Sequence, residues 1–211
     1  ILHARVEKMR SEKGWVRMIV PKGRQQGVST YVTARGYWHA SMRTNARAHI
    51  LAHELEATKN LFAMIQGYHA HCPAPLRPRA TVDAANEMHF GRLGSRFSVG
   101  TARTRAGGRS ATLTYFHGSE VGFWPSLKDN LAAVGQALPV APGTEAFLES
   151  TAHGHNDFYA AALMALKGLS DYEVCFLPWF LEPSYQREPE PDFELTEEEW
   201  EYMDAYGLSI Q

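Results

Sequence analysis

Short apolar segments alternate with segments of helical periodicity along most of the 211-residue sequence. The apolar segments are rich in β-branched and aromatic residues, which is typical of buried strands. The predicted strands are WVRMIV (15–20), RAHILAH (47–53), ATLTYFH (111–117), EAFLEST (145–151) and YEVCFL (172–177). Strands that alternate with helices run parallel in one sheet, and such sheets are buried on both faces. The alternation therefore predicts an α/β fold with a mainly parallel central sheet flanked by helices on both faces.

The segments between the strands predict helices and one hairpin. Apolar side chains at helical spacing predict helices after the first loop, after residue 54, over 126–138 and over 156–168. Two alternating runs around Gly94 predict a hairpin over 87–101. A capping box at Thr196 and Glu199 predicts a short helix that ends near Gly207.

The composition and charge narrow the class of protein. Hydrophobic residues make up 45% and charged residues 21% of the chain, which is typical of a soluble globular protein, and no apolar run approaches the length of a membrane span. Two cysteines, Cys72 and Cys175, fit a reducing compartment. The net charge of −2 gives no general argument for a nucleic-acid partner, although residues 77–109 are basic and residues 182–204 are acidic.

The stretch KGRQQGVST (22–30) joins the first predicted strand to a helix. In a phosphate-binding loop at such a position, backbone N–H groups bind the phosphates, a lysine neutralises them and a Ser or Thr hydroxyl binds magnesium. Gly27 and Ser29 fit the last part of that pattern, but Val28 occupies the position of the lysine. Lys22 or Arg24 could supply the cation if the loop folds back. Taken alone, the stretch fits either a nucleotide loop or a glycine-containing turn.

Two later strand ends also carry polar side chains. Glu120 follows one predicted strand, where a carboxylate can act beside magnesium and the attacking water of an ATP-hydrolysing enzyme, but the usual preceding aspartate is Ser119. Ser150 and Thr151 end the next strand, where hydroxyls can sense a terminal phosphate or simply cap a turn. Because ligands gather at the carboxyl ends of parallel strands, the three segments together favour a nucleotide site.

A cluster near the end of the second helix invites a different interpretation. His69, His71 and Cys72 could supply three soft ligands to zinc. A structural zinc site needs a fourth ligand at a recognisable spacing, and the only other cysteine is Cys175. We expect these residues to be helix-end side chains in contact with water.

Five segments of the sequence together resemble the ATPase domain of the large terminase subunit of tailed bacteriophages. They are KGRQQGVST, GGRSATLTYFHGSEVGFWP, ESTAHGHNDFY, FLPWFLEPSY and LTEEEWEYMDAYGLS. The resemblance that they carry extends over nearly the whole chain. That family drives viral DNA into an empty procapsid by ATP hydrolysis. The resemblance implies a RecA-like P-loop fold of the ASCE class, with an ATPase core over 1–177 and an acidic connector or lid segment over 178–211. It also implies a nuclease domain beyond Gln211 and an adenine-contacting segment that precedes or overlaps the first few residues.

The resemblance implies roles for individual residues. Lys22 and Arg24 would contact phosphates, Ser29 would bind magnesium and Glu120 would polarise the attacking water. The implied nucleotide-contacting residues are Lys22, Gly23, Arg24, Gln25, Gln26, Gly27, Val28, Ser29, Thr30, Ser150 and Thr151, of which the last two would form the coupling motif that reports hydrolysis. The implied metal-side residues are Ser29, Ser119 and Glu120. The arginine that reaches toward the ATP of a neighbouring subunit would be Arg109, with Arg105 as the second candidate.

The same resemblance implies cofactors, partners and a location. ATP and Mg²⁺ would be the cofactors, and double-stranded DNA, the portal protein and the small terminase subunit would be the partners. The chain would form a homo-oligomeric ring when docked, be a monomer in isolation, have no contact with a membrane and act in the host cell cytoplasm. Valine at position 28 and serine at position 119 leave open a nucleotide-binding scaffold without turnover. Another RecA-like motor such as a helicase is the alternative enzyme, and it should have a second ATPase core.

Overall fold

A computed structural model describes residues 1–103, 112–190 and 193–209. The helices are α1 (Leu2–Lys13), α2 (Val28–Ser41), α3 (Leu55–His71), α4 (Leu127–Ala137), α5 (Asp157–Leu166) and α6 (Glu197–Tyr206). The strands are β1 (Val16–Pro21), β2 (Arg47–Ala52), β3 (Ala80–Asp83), β4 (Glu87–Phe90), β5 (Ser95–Thr101), β6 (Tyr115–Ser119), β7 (Glu145–Ser150) and β8 (Glu173–Val174). Strands and helices alternate along most of the chain, as the sequence predicts.

Within the described residues, the strands form one eight-stranded sheet in the order β3-β4-β5-β2-β6-β7-β1-β8. Every neighbouring pair from β5 to β8 is parallel, and β4 and β3 extend the sheet as an antiparallel edge. The prediction of a mainly parallel sheet is therefore confirmed. Strand β7 lies between β1 and β6, so it separates the two strands that lead into the loop at Lys22 and the turn at Glu120.

The two faces of the sheet are covered by separate hydrophobic clusters. Helices α1, α2 and α3 contribute to one cluster, and α4 and α5 contribute to the other. Strand β1 serves both clusters, because Met18 and Val20 point into the first while Ile19 points into the second. Helices on both faces are thus confirmed, and the burial of both faces explains why the strands read as continuous apolar runs.

Several element boundaries differ from the sequence-based predictions. Helix α2 begins at Val28, directly from the loop, because its N-cap Gly27 adopts a left-handed conformation with φ of 70°. The predicted strand over 172–177 is reduced to β8, followed by an isolated bridge between Lys22 and Leu177. Helix α1 was not predicted, since its buried residues Leu2, Val6 and Met9 lie among charged residues. The hairpin over 87–101 is confirmed as β4 and β5.

The segment after β8 packs against the loop at residues 22–27. The carbonyl of Pro178 accepts a hydrogen bond from the Gln26 side chain, and the Tyr185 hydroxyl donates one to the carbonyl of Arg24. Helix α6 has the predicted capping box, with Thr196 as its N-cap. The division of the chain into a core and a connector at residue 178 stays a prediction. No helix in the described part of the chain is both long and apolar enough to cross a membrane.

A buried ion-pair network joins α1, α2 and β7. The Arg35 guanidinium contacts the carboxylates of Glu145 and Glu7, and the Arg35 and Glu145 side chains are 6% and 1% exposed. One turn further along α2, His39 is buried and its Nε2 lies 3.0 Å from the Thr114 hydroxyl. Burial, together with the cations of Arg43 and Arg35, lowers the pKa of His39 to about 3. The imidazole is therefore neutral in the folded chain at neutral pH.

We expect His39 to make the fold sensitive to acid. Between pH of about 6.5 and about 3, His39 is protonated in the unfolded chain but neutral in the folded chain. The free energy of unfolding therefore decreases as the pH is lowered through this range. One such group contributes a slope of about 1.4 kcal/mol per pH unit in that window. The substitution His39→Gln should reduce the slope by roughly this amount in urea denaturation between about pH 6 and about pH 4.5.

The exposed His71 offers a control. It lies at the end of α3, which packs on the same face of the sheet as α2, so His71→Gln removes an exposed imidazole rather than a buried one. That variant should keep the slope of the unsubstituted chain. An equal slope in the His39→Gln variant would contradict the assignment of the acid sensitivity to His39.

Candidate functional site

Strands β1, β7 and β6 end at the same edge of the sheet. Pro21 at the end of β1 pairs with Ser150 at the end of β7, and Ser119 at the end of β6 pairs with Glu149. The residues that follow each strand therefore meet, as expected for parallel strands. The shared register brings together the polar segments that the sequence analysis found far apart in the chain.

The loop between β1 and α2 is held in one conformation by its own side chains and by left-handed backbone. Gln25 and Gly27 have φ of 55° and 70°. The Gln26 side chain accepts a hydrogen bond from the Gly23 N–H at 2.9 Å and donates one to the Pro178 carbonyl at 2.6 Å. The loop leads directly into α2, and the first turn of the helix reaches the strand ends through the hydrogen bond of Ser29 to Glu149.

The structure accounts for the valine at position 28. Val28 is 3% exposed and belongs to the hydrophobic cluster that α1, α2 and α3 form on the sheet. A lysine there would bury its charge in an apolar cluster unless its side chain turned away. Lys22, at the front of the loop, instead directs its ammonium to the strand ends, whereas Arg24 is exposed.

The Lys22 ammonium lies between two carboxylates. Its Nζ is 2.8 Å from Glu120 Oε1 and 3.2 Å from Glu149 Oε2. The side chains of Lys22 and Glu149 are 7% and 0% exposed. Burial alone would lower the pKa of Lys22, but the negative charges of Glu149 and Glu120 outweigh it and raise the pKa. The lysine is therefore charged, and its single ammonium is shared by two strand-end carboxylates.

Glu149 is the site residue that the sequence analysis missed. It is fully buried, its Oε1 accepts a hydrogen bond from the Ser29 hydroxyl at 2.7 Å, and His117 Nε2 lies 3.2 Å from the same oxygen. Burial raises the pKa of Glu149, but the hydrogen bond and charge of His117, with Lys22 and Ser29, outweigh burial and lower the pKa well below the usual range. The available signal was an acidic residue inside a buried strand, directly before the hydroxyls of Ser150 and Thr151.

Glu120 adopts an unusual backbone conformation immediately after β6. Its φ of 51° and ψ of 47° are left-handed, which costs a non-glycine residue about 1–2 kcal/mol. The carboxylate is held on both sides, because Oε1 contacts Lys22 and Oε2 accepts hydrogen bonds from the N–H and the hydroxyl of Thr151 at 3.2 and 3.3 Å. The Ser150 hydroxyl in turn accepts the Gly122 N–H at 3.1 Å. Strained backbone that the surroundings hold in place is typical of functional sites.

The predicted site residues divide by where the structure places them. Those that meet at the strand ends, directly or through Glu149, are Lys22, Ser29, Glu120, Ser150 and Thr151. Those that are exposed on the loop or the first turn of α2 are Arg24, Gln25, Gly27 and Thr30. Those that shape the loop from within are Gly23, Gln26 and Val28. Ser119 is buried beside Glu149, and Arg105 and Arg109 lie outside the described residues.

The histidine cluster is involved in local contacts. His69 Nδ1 lies 3.1 Å from the Tyr37 hydroxyl, and His71 Nδ1 lies 2.8 Å from the Gly67 carbonyl oxygen. Over residues 1–103, 112–190 and 193–209, no group of three or more His, Cys, Asp or Glu side chains is arranged to hold a metal ion. The strand-end site differs from such a group, since it combines two carboxylates with a hydroxyl.

A cavity of about 310 Å³ adjoins the loop on the side of α1. Its walls include Leu2 and His3 from α1, Gln26 from the loop, Tyr31 from α2 and Leu181 from the segment after β8. The His3 imidazole contacts the Tyr31 hydroxyl at 3.0 Å. The cavity is mixed in character, with an apolar surface, an aromatic ring and a few polar groups, which is the usual make-up of a small-ligand pocket.

Comparison with known proteins identifies the fold. No protein-family model matches the chain, and no curated protein matches it. The solved ATPase domain of the Thermus phage P74-26 large terminase matches with a TM-score of 0.64 and 19% identity, over 98% of this chain and 92% of that one. The HK97 bacteriophage large terminase matches with a TM-score of 0.63 and 12% identity, over 87% of this chain and 38% of that one.

A third solved structure agrees. The large terminase of a thermophilic bacteriophage matches with a TM-score of 0.59 and 12% identity, over 82% of this chain and 44% of that one. The chain has the RecA-like fold of a large terminase ATPase domain. It spans less than half the length of the HK97 and thermophilic-phage large terminases. The thermophilic-phage protein has also been solved in complex with ATP-γ-S. The predicted fold class is confirmed, because the fold of this chain is similar to that of the solved large terminase ATPase domain.

We expect Lys22 and Glu149 to be energetically coupled. Removing one member leaves the other charge buried without this partner, so Lys22→Met and Glu149→Gln should each lower the free energy of unfolding. The double variant should be more stable than the sum of the single changes predicts, by a coupling on the order of 1–3 kcal/mol. Urea denaturation of the four proteins near neutral pH measures this coupling.

The surface pair Lys13 and Glu173 gives a matched control, because its Nζ and Oε1 are 2.7 Å apart but its side chains are 38% and 48% exposed. The corresponding cycle with Lys13→Met and Glu173→Gln should give a coupling below about 1 kcal/mol. Additive changes at Lys22 and Glu149 would show that the two side chains do not interact in the way the geometry requires.

Proposed function

We propose that the chain is the ATPase part of a viral DNA-packaging motor, which hydrolyses ATP to drive double-stranded DNA into a procapsid. The observation that carries this proposal is the meeting of Lys22, Ser29 and Glu120 around Glu149 at the carboxyl edge of a RecA-like sheet. A cation, a hydroxyl and a strand-end carboxylate are the groups that phosphoryl transfer requires, since it depends on positioning and charge neutralisation.

The phosphates of ATP would lie at the N-terminus of α2, where backbone N–H groups of residues 24–30 can bind them. Lys22 would neutralise them, and Arg24 would add a second cation from the exposed side of the loop. The adjoining cavity of about 310 Å³ would accept the adenine and ribose. The complex of the thermophilic-phage large terminase with ATP-γ-S supports a nucleotide as the ligand of this fold.

The strand-end donors fit magnesium. Mg²⁺ prefers oxygen ligands and is usually held by one or two carboxylates together with substrate phosphates. Ser29, Glu120 and Glu149 offer a hydroxyl and two carboxylates within one connected network. When bound, the ion would neutralise charge on the phosphates, and Ser29 would hold it on the side of the helix.

Glu120 would polarise the attacking water. Its two oxygens are engaged by Lys22 and Thr151, so release of Lys22 from Oε1 would leave that oxygen more basic and open to a water molecule. Binding of a triphosphate gives the lysine an alternative anionic partner, and this links Glu120 to occupation of the site. Ser150 and Thr151 contact Glu120 and the following turn, so they are suited to report hydrolysis to the rest of the domain.

The wider context of the motor is also part of the proposal. Arg109, or Arg105, would reach the ATP of a neighbouring subunit in a homo-oligomeric ring, and an arginine acting in trans is worth about 10³–10⁵ in rate in comparable enzymes. An isolated monomer would therefore hydrolyse ATP slowly. The portal protein and the small terminase subunit would be the partners of this ring, which would act in the host cytoplasm.

A nucleotide-binding scaffold without turnover is the second candidate. It is favoured by Ser119 in place of the usual aspartate and by the engagement of both oxygens of Glu120. A helicase remains the alternative enzyme, and a second ATPase core is the feature that would favour it.

The change Glu120→Gln tests the proposed base. The amide keeps the size of the side chain but cannot accept a proton from water, so turnover should fall by about 10²–10⁴-fold while the affinity for ATP changes little. The measurement is phosphate release with Mg²⁺ and DNA at high protein concentration, together with a nucleotide-binding titration. Glu56→Gln, an exposed change on α3, is the control and should leave both quantities as they are.

Unchanged steady-state hydrolysis in the Glu120→Gln variant would rule out Glu120 as the base. If the unsubstituted chain binds ATP but releases no phosphate under these conditions, with or without Mg²⁺, the scaffold becomes the better account.

A further inference from the structure

We infer that Glu149 supplies, from β7, the magnesium-side carboxylate that position 119 lacks on β6. This inference rests on the proposed ATPase function. In it, Glu149 orients the Ser29 hydroxyl and supplies negative charge beside the metal ion. It concerns a residue that neither the loop pattern nor the strand-end glutamate identifies.

The register of the sheet supports a carboxylate on β7 in place of one on β6. Ser119 and Glu149 are paired residues on neighbouring parallel strands, so their side chains leave the same face of the sheet. Both are buried, at 4% and 0% exposure. A carboxylate at position 149 therefore lies one strand away from the position of the missing aspartate, and the longer glutamate side chain offsets part of that distance of about 4.8 Å.

The contact with Ser29 gives Glu149 a specific role. Ser29 Oγ donates a hydrogen bond of 2.7 Å to Glu149 Oε1, which fixes the direction of the hydroxyl proton. The lone pairs of the oxygen are then directed away from Glu149 and are available to a cation. Groups that orient the ligands of a metal in this way control its affinity. Behind Glu149, His117 contacts the same oxygen and is itself 3.5 Å from Thr33, so the carboxylate is held from the core side.

The second oxygen of Glu149 depends on the Lys22 ammonium for its counter-charge. In the part of the chain that the structure describes, Oε2 is buried and meets the hydrogen-bond geometry with no donor, and the Lys22 ammonium lies 3.2 Å from it as an ion pair. If Lys22 turns to the phosphates of ATP, this oxygen loses a counter-charge in a buried position, which is strongly unfavourable. A divalent cation beside Ser29 would replace it. Mg²⁺ would thus replace Lys22 as the counter-charge of the Glu149 carboxylate.

Burial alone does not give a glutamate this role. Glu145 lies on the same strand and faces the same side, with 1% exposure, but both of its oxygens bind the Arg35 guanidinium. Glu145 is fully paired within the fold at the opposite end of β7. Glu149 differs by its position at the carboxyl end of the strand, its contact with Ser29 and the ion pair of its second oxygen with Lys22, and these three features together carry the inference.

The dependence of nucleotide affinity on magnesium tests it. The quantity to measure is the ratio of the Kd of a fluorescent non-hydrolysable ATP analogue in EDTA to its Kd in excess Mg²⁺. Glu149→Gln should lower this ratio by about 10–100-fold, the usual effect of removing a group that orients a metal ligand. The Kd in EDTA should stay the same or improve, because a carboxylate that repels phosphate is gone. Glu145→Gln is the matched control and should leave the ratio unchanged.

Two further variants cover the case in which Glu149→Gln does not fold. Glu149→Asp keeps an anion for Lys22 and His117 but is one methylene too short to reach Ser29, so the ratio should still fall by about tenfold. Ser119→Asp combined with Glu149→Gln returns a carboxylate to β6 and should restore the ratio. A folded Glu149→Gln or Glu149→Asp variant with the ratio of the unsubstituted chain would overturn the inference, as would a folded double variant that restores nothing.

The outcomes separate this inference from the proposed function. If the unsubstituted chain binds the analogue with a magnesium-dependent affinity that Glu149→Gln preserves, the function stands and the role of Glu149 is wrong. If the unsubstituted chain does not bind the analogue at all, the proposed function fails and this inference fails with it.

Discussion

The rest of the site depends on one buried cation between two carboxylates. Lys22 lies at the end of β1, Glu149 lies on β7 and Glu120 follows β6, so their ion pairs join three neighbouring strands at their carboxyl ends. Charges removed from water need a partner in the fold, and each of these three side chains is a partner of another. The same interaction therefore stabilises the sheet edge and holds the chemical groups together. A phosphate that binds here must compete for the lysine, which couples binding to release of the carboxylates.

The two ends of strand β7 have different roles: its beginning belongs to a structural ion-pair network and its end, the chemical end, belongs to the candidate site. Glu145, at its beginning, is paired with Arg35 in a buried network that anchors α1 and α2. Glu149 and Ser150, at its end, contact the loop and the turn after β6. The strand is central in the sheet and buried throughout, so it is packed against neighbours on both sides along its whole length. This arrangement suits a domain in which hydrolysis is proposed to drive movement.

Much of the fold was predictable from the sequence, because burial leaves a periodic pattern. The parallel sheet, the hairpin at β4 and β5 and the capping box at Thr196 follow from local spacing. The role of Glu149 was not predictable, since it depends on the register that pairs it with Ser119 across two strands. The placement of Lys22 likewise depends on how the loop turns through Gln25 and Gly27, which residue types alone do not determine. Local sequence patterns therefore predict the helices and strands, whereas the candidate site depends on contacts between strand ends that these patterns do not contain.

The most direct measurement is an experimental structure of this chain with a non-hydrolysable ATP analogue and Mg²⁺. The account predicts the terminal phosphates at the N-terminus of α2 in contact with Lys22, with the ion beside Ser29 and the Lys22 contact to Glu120 broken. Nucleotide bound elsewhere, or bound at α2 while Lys22 remains between Glu120 and Glu149, would contradict the claim that these residues form one triphosphate site.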